Sequence, residues 1–106
     1  MSEVPRPQDP ILVAMISGAK SPVSGTLIEA AAVTDGWLDP KKVQAIIHNR
    51  AASIGEYTRV LLEVVMQEAD GLTIAGVLER DNDRYRLASE ARKHLPAFED
   101  ARNTSR

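Results

Sequence analysis

The side chains of this sequence whose type and spacing could do chemistry are cationic. Lys41, Lys42, Arg50 and Arg59 fall in one stretch and Arg80, Arg84 and Arg86 in another, with Glu63, Glu68, Asp70 and Glu79 between them. A guanidinium offers paired donors in a planar fork that fits a phosphate or the edge of a guanine, whereas a lysine ammonium acts as a point charge on phosphate. Residues 39–59 carry a net +2 and residues 84–106 a net +3, against −5 over 60–83 and −2 over 1–38. The chain as a whole carries −2, so nothing draws it globally to a polyanion. Any role for these cations requires a fold that brings the two positive stretches together.

Other chemistries are poorly supplied. The sequence has no cysteine, which excludes disulfides, thiolate zinc sites and a thiol nucleophile and agrees with a reducing compartment. His48 and His94 each stand without a second histidine at helical spacing, so neither predicts a metal site. There is no glycine-rich phosphate loop, no nucleophile elbow and no carboxylate pair set among apolar residues. The expectation is a non-enzyme without a cofactor.

The elements that must position the cations follow from local signals. Residues 1–8 hold two prolines and no periodicity and read as a flexible arm; residues 9–101 read as one domain, and residues 102–106 as a frayed tail. Asp9-Pro10 opens a helix to about Ile16, since aspartate accepts from free N–H groups and proline fits the first helical position. Its apolar surface runs nearly all round, which predicts cover on several sides. Leu27, Ile28, Ala31 and Ala32 mark a second helix over Ser24–Val33, stopped before Gly36. Trp37-Leu38 reads as a short extended pair with Trp37 in the core, and Asp39-Pro40 opens a helix to Ala51.

Ser53-Ile54-Gly55-Glu56 fits a capping box and predicts a helix from Ile54 to Ala69, with Tyr57, Leu61, Val64 and Val65 inward and Glu56, Arg59, Glu63 and Gln67 outward. Gly71 is the expected stop. Residues Leu72 to Arg80, the turn Asp81-Asn82-Asp83, and Arg84-Tyr85-Arg86-Leu87 read as a two-stranded hairpin. Ser89 then caps a last helix to about Leu95, kinked at Pro96. The fold class is mainly α with a small β-hairpin. With 4% aromatic residues the core must rest on Ala, Val, Ile and Leu.

In this order the segment from about residue 24 to 95 resembles a winged helix-turn-helix domain of small prokaryotic transcription regulators, with an extra helix at either end. Helices 40–51 and 54–69 are similar to its helix-turn-helix pair and residues 77–87 to its wing. The resemblance implies a DNA-binding transcription regulator, working as a homodimer on palindromic double-stranded DNA, with helix 54–69 in the major groove and the wing on the backbone. By that resemblance Ser53, Gly55, Thr58 and Arg59 are groove contacts, Lys41, Lys42 and Arg50 lie at the flanking backbone, and Arg80, Arg84 and Arg86 on the wing. The Pro10–Ile16 helix and the Glu90–Phe98 segment would form the dimer surface.

Alternative readings stand beside each role. Ser53 and Glu56 fit a capping pair better than a base contact, Arg59 also suits the role of helical ion-pair partner of Glu63, and Arg84 and Arg86 that of a solvated outer face. The acidic stretch also fits a winged-helix module that docks a protein partner in a larger assembly and binds no DNA. The longest apolar run, Ile11 to Ile16, is too short to span a membrane, and the expected location is the cytoplasm.

Overall fold

The computed structural model describes residues 9–55 and 59–104. The expected arm at residues 1–8 and the residues Glu56, Tyr57, Thr58, Ser105 and Arg106 lie outside the described part. Helix α1 (Pro10–Ala19) starts as its sequence demands: Asp9 Oδ1 accepts the Ile11 N–H at 2.9 Å, and Pro10 occupies the first turn. It continues beyond Ile16 to Ala19. Ser21-Pro22 repeats the device and starts α2 (Pro22–Val33) two residues before Ser24, with the Ser21 hydroxyl accepting the Ser24 N–H at 3.3 Å. The two helices meet at 115°.

Leu38 then forms a bridge to Tyr85: its N–H donates to the Tyr85 carbonyl at 2.6 Å, and its carbonyl accepts the Tyr85 N–H at 3.0 Å. The expected extended pair is therefore present, but Trp37 itself is only half-buried and carries the Arg86 guanidinium over its ring at 4.5 Å. Helix α3 (Pro40–Ser53) is capped by Asp39, whose carboxylate accepts the Lys41 N–H at 2.9 Å.

The capping box is where the structure departs from the sequence reading. Ser53 closes α3 instead of opening a new helix: its hydroxyl donates to the Arg50 carbonyl at 2.7 Å, and Gly55 takes φ +74°, the left-handed conformation that follows a helix end. Helix α4 (Leu62–Ile74) begins eight residues later than Ile54, after an extended link at Arg59 to Leu61. The link is held from α3, where Gln44 Nε2 donates to the Val60 carbonyl at 2.8 Å and His48 Nε2 accepts the Val60 N–H at 3.0 Å. That acceptor role fixes His48 with its proton on Nδ1.

Gly71 does not stop α4. The stop is Gly76 (φ +88°), where the Gly76 N–H donates to Thr73 O at 3.1 Å and the Val77 N–H to Leu72 O at 2.9 Å. This is a Schellman motif, with buried Val77 and Leu72 as its apolar contact. Strands β1 (Leu78–Asp81) and β2 (Arg84–Leu87) follow, pairing Leu78 with Leu87 and Arg80 with Tyr85, and Asn82 takes the turn at φ 55°. Residues 72–74, expected in the hairpin, are helical, and Ala75 caps the helix. Ser89 is the first residue of a single turn, α5 (Ser89–Arg92), and not its cap. Helix α6 (Leu95–Thr104) carries Pro96 in its first turn and runs through the expected tail, so Arg102, Asn103 and Thr104 are ordered in a helix.

The protein is thus mainly α-helical with a small antiparallel hairpin. Met15, Leu27, Ile28, Val43, Val65, Tyr85 and Phe98 are fully buried in one core. α1 packs on α6 and α5, so the two segments expected at a dimer surface lie against each other within the chain. Among the described residues no single helix is long and apolar enough to cross a membrane.

Gly71 sits inside α4 with helical φ, exposed, and a Cβ placed there meets nothing within 4 Å. Glycine in a helix interior is less stable than alanine by about 0.5–1 kcal/mol. Gly71→Ala is therefore expected to raise stability by about that amount in urea unfolding; a loss would show that the glycine serves the fold.

Candidate functional site

The cations are exposed but not equally available. Arg50, near the end of α3, donates to Glu29 Oε2 on α2 at 3.1 Å. Arg80 donates to Asp70 Oδ1 at 2.7 Å and lies over the Tyr85 ring, and Arg86 pairs with Glu79 at 2.6 Å while stacking on Trp37. These surface pairs add little stability, but each places a carboxylate where a phosphate would have to sit. Lys41 and Lys42 in the first turn of α3, Arg59 in the link and Arg84 at the hairpin turn are exposed, with no salt bridge among the described residues. Ser53 and Gly55 lie at the end of α3, and Thr58 is outside the described residues. Since Arg59 precedes α4, it has no helical i, i+4 relation to Glu63.

The later start of α4 changes which of its residues face out. Val65, Ala69 and Leu72 form the buried stripe, so Leu61 and Val64, expected inward, are 52% and 39% exposed. Ile74, the last residue of the helix, is 89% exposed. With about 3.6 residues per turn, Val64, Gln67, Gly71 and Ile74 align along one outward stripe, and Glu63 and Glu68 lie on its two borders. The helix carries Glu63, Glu68 and Asp70 and neither lysine nor arginine.

Asp70 faces the hairpin. Its Oδ1 accepts from the Tyr85 hydroxyl at 2.8 Å as well as from Arg80. Burial, followed by this hydrogen bond, pushes the Tyr85 hydroxyl up to about 12. Glu68 accepts from the Ser24 hydroxyl at 2.8 Å and so joins α4 to α2. The two histidines are structural neighbours of backbone and carboxylate: His48 holds Val60, and His94 Nε2 lies 3.0 Å from Asp9 Oδ2, a hydrogen bond that leads the effects lowering the Asp9 carboxyl.

Sequence reasoning missed the outward stripe because its inner face was drawn for a helix starting at Ile54. The glycine at 55 was the available signal, since a glycine just past a periodic segment marks a helix end.

The fold and this face define a mainly helical domain with a small hairpin, in which the helix before the hairpin carries exposed apolar and acidic side chains together. Comparison of the chain with protein-family models, with curated proteins and with solved structures finds no match.

Proposed function

We propose that the chain is a winged-helix module that docks a protein partner. The order α2, the Leu38 bridge, α3, α4 and the hairpin supports the winged-helix reading, with α3 and α4 as the helix pair and β1–β2 as the wing. One observation carries the choice of partner. In a DNA-binding winged helix the second helix of the pair enters the major groove, between two rows of phosphates that carry one charge per about 1.7 Å of duplex axis. Here that helix is α4, which brings three carboxylates and no cation, with Val64 and Ile74 exposed beside them. Such a helix is repelled by phosphate and suited to a protein surface.

A second reading, a homodimeric DNA-binding regulator, rests on Lys41, Lys42, Arg59 and Arg84. Fluorescence anisotropy with random-sequence duplex DNA separates the two. A non-specific DNA binder associates with dissociation constants of about 10⁻⁴–10⁻⁶ M at physiological salt, and more tightly at low salt. No binding is expected in that range even at low salt. Binding that weakens steeply with salt, and that Lys42→Glu or Arg84→Glu abolishes, restores the DNA reading.

A further inference from the structure

The stripe on α4 indicates more than that a protein docks there. We propose that it receives a basic amphipathic helix of a partner protein; this rests on the interaction-module reading and specifies its ligand. Val64, Gln67, Gly71 and Ile74 are spaced i, i+3, i+7 and i+10, the spacing at which a second helix packs its own ridge. Ile74 is almost wholly in solvent and Val64 is partly exposed beside it, at 89% and 39%. Beside the stripe lies an open groove of about 350 Å³, lined among others by Ala14, Gly18, Ser24, Glu68, Gly71 and Ala75. Its alanines and glycines leave room for an incoming side chain, and Glu68 sets a carboxylate at the groove itself.

The charge pattern selects the occupant. Glu63 borders the stripe on one side and Glu68 on the other, so a bound helix has a carboxylate beside each of its flanks. Lysines or arginines along both borders of the incoming helix complement them. A second copy offering the same stripe about a two-fold axis would instead set carboxylates against carboxylates. Gly71 fits the same picture: the fold gains nothing from it, as its open surroundings show, whereas a partner approaching over α4 needs the space a side chain would fill.

The test uses the full chain and two fluorescein-labelled synthetic peptides. Both carry leucine and alanine along one helical face; one has lysines along both borders of that face and the other has glutamates. The lysine-bordered peptide is expected to bind more tightly by about tenfold or more, and to lose affinity with added salt. Ile74→Glu and Gly71→Leu should each weaken it by about tenfold without lowering the urea midpoint appreciably, because both sites are exposed and leucine, like alanine, favours the helix over Gly71. Glu63→Lys should shift preference toward the glutamate-bordered peptide. Equal affinity for the two peptides, binding unaffected by Ile74→Glu, or no binding of either overturns the proposed occupant. So does a dimer in sedimentation that Ile74→Glu dissociates, since the stripe then belongs to a second copy. In each of these cases the interaction-module reading survives as long as duplex DNA does not bind; only DNA binding removes both.

Discussion

Tyr85→Ala is expected to lower the stability of the domain by about 3–5 kcal/mol, as removal of a large buried aromatic generally does, and Tyr85→Phe by only about 1 kcal/mol. Tyr85 is fully buried and serves three partners at once. Its backbone makes both hydrogen bonds of the Leu38 bridge, its ring lies under Arg80, and its hydroxyl donates to Asp70 on α4. Alanine keeps the bridge but leaves a cavity where α2, α4 and the hairpin converge. Phenylalanine keeps the ring, and Asp70 keeps Arg80, so only one hydrogen bond is lost. Urea unfolding of both variants checks this; equal damage would mean that the hydroxyl, not the ring, holds the hairpin. The pH dependence separates them further. A hydroxyl raised from 10.0 to about 12 in the folded chain contributes stability that is present below pH 10 and lost as the pH rises through about 12. Tyr85→Phe should remove that alkaline loss.

Arg102→Ala is expected to cost about 2–3 kcal/mol, because it leaves a partly buried carboxylate and two backbone carbonyls short of donors. The Arg102 side chain is 13% exposed. It donates to Glu29 at 2.5 Å, to Ala19 O at 3.1 Å, to Ser21 O at 3.3 Å and to the Thr26 hydroxyl at 3.4 Å, so one guanidinium from α6 ties down the α1–α2 corner. Gly25 makes room for it, since a Cβ at that position would lie 2.0 Å from Arg102 Nη1. Gly25→Ala must therefore displace the guanidinium, and it is expected to cost about 1–2 kcal/mol after the gain in helix propensity. In the Arg102→Ala background the same change should become neutral or stabilising, and a double-mutant cycle measures this directly. Additive losses would show that Gly25 and Arg102 are independent.

The acid side follows from Glu29. Burial pushes its carboxyl up, but hydrogen bonds from Arg102 and Arg50 outweigh burial and hold it below its ordinary 4.5. This contribution is present above about pH 4.5 and fades as the pH falls through the lower folded value. Arg102→Ala should flatten that part of the acid titration.

How much of this could be read from the sequence depends on whether the deciding signal was local. Both Asp-Pro starts were legible, because an aspartate cap and a first-turn proline act within three residues. The hairpin was legible from its alternation and its turn residues, and so was the short extended pair before α3. The helix pair was legible in number but not in register. Ser53 and Glu56 satisfy the capping pattern, yet Gly55 between them ends α3, and the start of α4 is set by Gln44 and His48 holding Val60, a contact made in three dimensions. Gly71 is the nearer glycine to the periodic segment, but the stop falls at Gly76, where the buried pair Leu72 and Val77 completes the helix end. Arg102, read as part of a loose tail, is fixed by partners more than seventy positions away along the chain. The cationic candidates were visible as residue types, but their neutralisation by Glu29, Asp70 and Glu79 is a property of the folded surface.

The short passage from α4 into β1 has a mechanical consequence. Only Ala75, Gly76 and Val77 separate helix from strand, and the Schellman hydrogen bonds together with the Asp70–Tyr85 bond fasten the two at both ends of that passage. The hairpin is in effect a lever rigidly mounted on the helix. The outward stripe and the turn carrying Arg84 therefore belong to one continuous hydrogen-bonded unit.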